Sequence, residues 1–133
     1  MASVLVDTGP LVALFKRNDS FHARAVAWFK AQRGRLVTTQ AVLTEAWHLV
    51  SPPARLPLVR FVTAAFDLHP GSSELQLRVL AVLERHADLP MDYADATLVV
   101  VAETQRIAHI ATIDVNDFST YRLANGKALK LVF

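Results

Sequence analysis

The sequence predicts an α/β fold: a three-layer-like sandwich whose central, mostly parallel sheet is flanked by helices. Two observations carry this. Short apolar runs alternate with longer stretches whose apolar residues recur at helical spacing, as in chains that alternate strand and helix. The short runs also lack the period-two polarity of a half-exposed strand, which suits strands covered on both faces.

Ser3 to Val6 is the first such run and reads as a buried strand. Thr8-Gly9-Pro10 turns the chain, and Pro10 can open a helix through Phe15 because its missing N–H costs nothing in the first turn. Lys16 to Asp19 form a polar break. Ser20 is placed to cap a second helix carrying Phe21, Ala25, Trp28 and Phe29, and Gly34 to end it. Leu36-Val37-Thr38 is a second strand. A third helix spans about Gln40 to Val50 and stops before Pro52-Pro53. The stretch from Pro52 to Pro57 reads as a loop, followed by a fourth helix from Pro57 to Phe66, and Asp67-Leu68-His69 is a brief strand.

Ser73 and Gln76 fit a capping box for a long amphipathic helix to about Ala87. Asp92 caps the next helix, which runs to about Arg106 with an apolar middle. His109 to Ile113 is a strand, Val115 to Tyr121 a turn or short helix, and Ala128 to Val132 a last strand. No internal repeat or long linker divides the chain, so residues 1–133 are expected to form one domain.

Composition narrows the chemistry. At 53% hydrophobic and 20% charged residues, the chain is globular rather than disordered. No apolar run reaches the roughly 18 residues of a membrane span, and no charged lead with an apolar stretch marks a signal peptide, so no membrane association is expected. The absence of cysteine removes disulfides, thiolate zinc sites and thiol catalysis, and suits a cytoplasmic location. No phosphate-binding glycine loop, dinucleotide fingerprint or serine elbow is present.

Four carboxylates interrupt apolar runs where the chain enters or leaves a regular element: Asp7, Glu45, Asp95 and Asp114. An ionised carboxylate in apolar surroundings costs several kcal/mol unless a cation or donors meet it. Four such positions suggest one shared acidic pocket for a divalent cation. Oxygen donors alone select Mg²⁺ or Mn²⁺ over zinc. The five histidines show no ligand spacing and read as surface or helix-edge residues; His48, beside Glu45, is the exception to watch. Set the four acids aside and 14 basic residues, ten of them arginine, face 8 acidic ones. An acidic pocket on a basic body suits an anionic polymer held against metal ions, although a mixed solvated surface explains the charge alone equally well.

Each acid also has a plainer reading. Asp7 can form a turn before Thr8-Gly9-Pro10, Asp114 can cap the helix that follows, and Glu45 can extend to solvent from a helix edge. On a helix, however, Ala41, Val42, His48 and Leu49 lie within about 60° of Glu45, on the same face. Asp92 and Asp95 share the first turn of one helix, Asp95 at the mouth of its apolar face; Asp92 is either a further acid of the pocket or a cap. Asp117 reads as a turn residue or as a group acting through a neighbour. Thr8 and Thr112 place hydroxyls next to the acids and can orient a water or a carboxylate. Trp28, Trp47 and the phenylalanines read as core or interface.

Taken together, Val4-Leu5-Val6-Asp7-Thr8-Gly9-Pro10-Leu11-Val12-Ala13-Leu14, Glu45, Met91-Asp92-Tyr93-Ala94-Asp95-Ala96 and Thr112-Ile113-Asp114-Val115-Asn116-Asp117-Phe118 resemble the PIN-domain ribonucleases, and within them the VapC toxins of type II toxin–antitoxin modules. The likeness covers nearly the whole chain. It implies a Mg²⁺- or Mn²⁺-dependent endoribonuclease with an RNA substrate, a cognate antitoxin partner and a homodimeric state. By that likeness Asp7, Glu45, Asp95 and Asp114 match the acidic quartet, with the metal held chiefly by Asp7 and Asp95, and Asp92 stands where some relatives carry an additional acid. The alternative is a catalytically silent PIN-like module that binds RNA or protein. Asp7-Thr8-Gly9 also matches the aspartic-protease tripeptide, but those enzymes are all-β. An aspartyl phosphatase would want a second aspartate where Gly9 stands, and a nuclease of structured DNA flaps would need insertions that 133 residues hardly hold.

Overall fold

Leu5 and Val6 have no solvent exposure, and both neighbours of their strand are parallel, as an unbroken branched run requires. The computed structural model describes residues 2–133. In chain order the elements are β1 (Val4–Val6), α1 (Thr8–Leu14), α2 (His22–Ala31), β2 (Leu36–Thr39), α3 (Gln40–Leu49), α4 (Pro52–Ala65), β3 (Phe66–His69), α5 (Ser73–Arg85), α6 (Tyr93–Gln105), β4 (His109–Ala111), α7 (Val115–Thr120) and β5 (Lys130–Leu131).

The five strands lie in the order β3-β2-β1-β4-β5, and every pairing is parallel. The chain winds outward from β1 to β3, then crosses back through α5 and α6 to place β4 on the other side of β1. Strand order therefore reverses between β1 and β4, where open parallel sheets carry their ligand crevice. Side chains alternate between the two faces. Leu5, Val37 and Ile110 enter the larger core with α3, α5 and α6, while Val4, Val6, Leu36 and Ala111 pack with Trp28 and Phe29 of α2. Helices on both faces give the expected sandwich. α6 is its central helix, with every residue from Ala94 to Ala102 buried.

Several local expectations need correction. Ser20 does not cap α2; Asp19 Oδ1 accepts the Phe21 N–H at 2.8 Å, and the helix starts at His22. α2 ends at Ala31, and Gly34 serves another purpose, since a Cβ there would overlap the Ala2 carbonyl oxygen. Pro52-Pro53 is no loop. These prolines open α4 at positions whose N–H groups would lack a helical partner anyway, and the helix continues through Pro57. The cap of α5 is Ser72, one residue before the expected one, accepting from Leu75 N–H at 3.0 Å. β4 and β5 are shorter than read, and β2 and β3 one residue longer.

Candidate active site

β1 and β4 deliver their following residues to the carboxyl end of the sheet, where the Asp7 N–H donates to the Ala111 carbonyl at 2.9 Å. Asp7 stands at the N-cap of α1, but its side chain does not cap the helix. Instead the Thr112 hydroxyl donates to Asp7 Oδ2 at 2.8 Å and accepts the Asp114 N–H at 3.0 Å. One hydroxyl thus ties the ends of two strands together. Gly9 keeps α1 close: a Cβ there would lie 3.0–3.2 Å from Ile113 side-chain atoms.

α3 and α6 enter from the other side. Thr97 donates to the Ala94 carbonyl at 2.6 Å, so its 2.9 Å contact with Thr39 is donated by Thr39. Thr39 in turn accepts from Val42 N–H as the cap of α3. This pair locks the start of α3, which carries Glu45, to the first turn of α6, which carries Asp95. Asp92 Oδ1 accepts the Asp95 N–H at 2.8 Å and caps α6. The Tyr121 hydroxyl donates to Asp95 Oδ2 at 2.7 Å.

The result is a crevice of about 450 Å³ lined by Asp7, Asp19, Glu45, Asp92, Asp95 and Asp114, with Thr8, Gly9, Val12, Leu49 and Ile113 completing its walls. No lysine, arginine or histidine lines it. All four acids of the expected quartet are there, and Asp92 is both a cap and a lining residue. Asp117 does not line the crevice; it lies against Asp114. Asp7 and Asp95 are buried, Glu45 is half-buried, and Asp92 and Asp114 sit on the exposed rim. The face around Glu45 is less enclosed than its apolar residues imply, because His48 and Leu49 are exposed. Asp114 occupies the N-cap of α7 without a side-chain cap bond.

Burial pushes the Asp7 carboxyl up from 3.8 to about 6, opposed by the Thr112 hydroxyl and the Thr8 backbone, with Glu45 and Asp92 adding repulsion. Burial also raises Asp95, against the Tyr121 hydrogen bond and with Asp7 and Asp92 repelling it. Asp114 is raised by desolvation and by Asp117. Burial and the Asp95 contact push the Tyr121 hydroxyl far up, so it stays a donor.

The donor set fits a hard divalent cation. It is all oxygen, it lacks a protein counter-charge, and Thr8 Oγ1 is buried without a hydrogen-bond partner. As the side chains stand, no three acidic or histidine groups among the described residues are close enough together to hold one ion. Asp7 and Asp95 each have one oxygen tied to a hydroxyl, from Thr112 and Tyr121 respectively.

Asp19, in the crevice lining, and Tyr121, bonded to Asp95, are not marked as site residues by the sequence pattern. Asp19 sits in a polar loop among other polar residues and carries no signal of its own. Tyr121 is far from Asp95 in sequence, and only its place after Phe118 on a helical spacing hints at burial. His86 is buried, not at a surface or helix edge, with Nδ1 on the Val82 carbonyl at 2.8 Å and Nε2 accepting the Arg122 N–H at 3.2 Å. His48 is exposed and lines a shallow side groove with Glu45. Trp47 is 39% exposed beneath the Arg55 guanidinium rather than in the core. A cavity of similar size, about 470 Å³, lies at the other end of the sheet beside Arg106 and Lys127; its one acid, Glu103, is paired with Arg85.

The PIN domain family profile matches residues 4–123. Ribonuclease VapC26 of Mycobacterium tuberculosis is 27% identical over 129 residues, covering 92% of this chain and 95% of its own. The crystal structure of Mycobacterium tuberculosis VapC20, described as a Sarcin-Ricin loop cleaving toxin, superposes with a TM-score of 0.78 at 20% identity, over 85% of this chain and 91% of that one. A toxin–antitoxin complex from Klebsiella pneumoniae gives 0.69 at 18% identity, over 98% and 96%.

Proposed function

This chain belongs to the PIN-domain family, and we propose that its acidic crevice hydrolyses RNA phosphodiester bonds with Mg²⁺ or Mn²⁺ as the toxin of a toxin–antitoxin pair. The observation that carries this is the convergence of Asp7, Glu45, Asp95 and Asp114, from four different elements, on one crevice free of basic side chains. The relationship to a VapC ribonuclease and the likeness to toxin–antitoxin structures support it.

Asp7 and Asp95 are the groups that would hold the cation, with Glu45 and Asp114 facing the same space. When bound, Mg²⁺ or Mn²⁺ supplies Lewis acidity toward the phosphoryl group. The chain does the rest. Six unneutralised carboxylates repel an RNA phosphate, so substrate entry depends on their being neutralised. Glu45 and Asp114 orient the attacking water, and one of them takes its proton as the water oxygen bonds to phosphorus and the P–O ester bond breaks, the departing ribose oxygen taking a proton from solvent. Thr112 holds Asp7 in place, Asp92 fixes the turn that carries Asp95, Asp117 acts through Asp114, and the free Thr8 hydroxyl is available to a water in the crevice. Residues 1–133 act as one nuclease domain.

A cognate antitoxin is the proposed protein partner, and a cytoplasmic homodimer the proposed state. Leu77 and Leu80, three residues apart on α5 and 72% and 52% exposed, support a surface that another chain covers. No helix among the described residues is long and apolar enough to cross a membrane.

Labelled RNA tests the proposal. The parent chain should cleave in Mg²⁺ or Mn²⁺ and stop in EDTA, and Asp7→Asn should lose cleavage while keeping its fold by circular dichroism. Full activity of Asp7→Asn, or cleavage that survives chelation, would exclude it.

A further inference from the structure

Tyr121 lies after α7, 26 residues from Asp95, yet its hydroxyl reaches that carboxylate inside the protein. Its ring is fixed on two sides. Phe118 packs edge-on at a centroid distance of 5.1 Å and His86 at 5.7 Å. His86 also holds the next residue, because its Nε2 accepts the Arg122 N–H while its Nδ1 is spent on Val82. The end of α5 thereby clamps the segment carrying Tyr121, and Tyr121 has little freedom to turn away. The Asp95 backbone is held as well, its N–H donating to Asp92 Oδ1.

We infer that Tyr121 is a positioning residue: its hydroxyl occupies Asp95 Oδ2 and leaves Oδ1 to the cation of the crevice. The pairing matches Thr112 with Asp7, so each inner acid has one oxygen tied to a hydroxyl. Two acids held this way are preorganised. A packing role alone would need only the ring. The hydroxyl is what the inference concerns, and it rests on the proposed metal-dependent activity.

Tyr121→Phe keeps the ring and removes the hydroxyl. Mn²⁺ is titrated directly into the parent and the variant, read by electron paramagnetic resonance of the free ion, and RNA cleavage is followed against Mn²⁺ concentration. The variant should bind Mn²⁺ about 10- to 100-fold more weakly, the usual effect of removing a partner that orients a ligand. Its activation constant for Mn²⁺ should rise by the same factor, with kcat at saturating metal returning to the parent level and the metal-free melting temperature falling only as far as one lost hydrogen bond to a buried carboxyl lowers it. Unaltered Mn²⁺ affinity would overturn the inference while leaving the nuclease proposal standing. Weaker binding with no recovery of kcat at saturating metal would also overturn it, since the defect then lies beyond the holding of Asp95 for the cation. A parent chain that binds no Mn²⁺ would remove the inference and the metal-dependent proposal together.

Discussion

Thr112 serves two groups with one hydroxyl, donating to Asp7 and accepting from the Asp114 backbone. Thr112→Val preserves the shape and deletes both contacts, leaving a buried carboxylate and an N–H short of partners. Such a loss costs about 1–3 kcal/mol, which denaturant unfolding can measure. RNA cleavage should fall about 10- to 100-fold, because a ligand that is no longer oriented binds its cation less well. Thr112→Ser keeps the hydroxyl and should retain most of both; if it fails as badly as Thr112→Val, the methyl group rather than the hydrogen bond is what matters. Single residues differ in how much of this shows in the sequence. Asp7 and Asp95 stand out because ionisable groups in apolar runs demand an explanation, and both are buried. Tyr121 and His86 do not, because a buried tyrosine or histidine on an amphipathic segment looks the same whether or not it touches an acid.

Caps and breaks decide where the elements begin, and they separate what sequence can and cannot place. Ser72 and Ser73 are chemically identical candidates for the start of α5. The backbone chooses Ser72, whose ψ of 165° leaves it outside the helix with its hydroxyl over Leu75 N–H. Ser72→Ala should therefore cost about 1 kcal/mol in thermal or denaturant unfolding, and Ser73→Ala only a few tenths. Equal losses at the two positions would contradict that assignment. Proline is ambiguous for a related reason. Pro52-Pro53 ends α3 and opens α4 at once, because a residue without an N–H suits a helix start as well as a break. Long periodic stretches such as α5 and α6 were legible in kind, and their ends were less so, since several side chains compete for one cap.

At the scale of the whole molecule, alternating strand and helix signals gave the class of fold, but not the order of the strands. Nothing local says that α5 and α6 carry the chain back past β1, yet that crossover brings β4, and with it Asp114, beside Asp7. The cost of the arrangement is spread over the entire fold and can be measured as stability. Asp7 has its carboxyl raised from 3.8 to about 6, so between those values the folded chain binds more protons than the unfolded one. Stability from this group is full below about pH 4 and is lost as pH rises through 6; Asp95, raised in the same direction, extends the loss upward. Asp7→Asn cannot ionise. In metal-free buffer its unfolding free energy should match the parent near pH 4 and exceed it by an amount growing to about 3 kcal/mol at most by pH 8, at about 1.4 kcal/mol per unit. Saturating Mn²⁺ should reverse the order at pH 8 by stabilising only the parent, and should do less at pH 5.5, where protons compete for the same oxygens. A difference between the two proteins that stays flat from pH 4 to 8 would mean that Asp7 carries no buried charge, and the crevice would then have no deficit for a cation to fill.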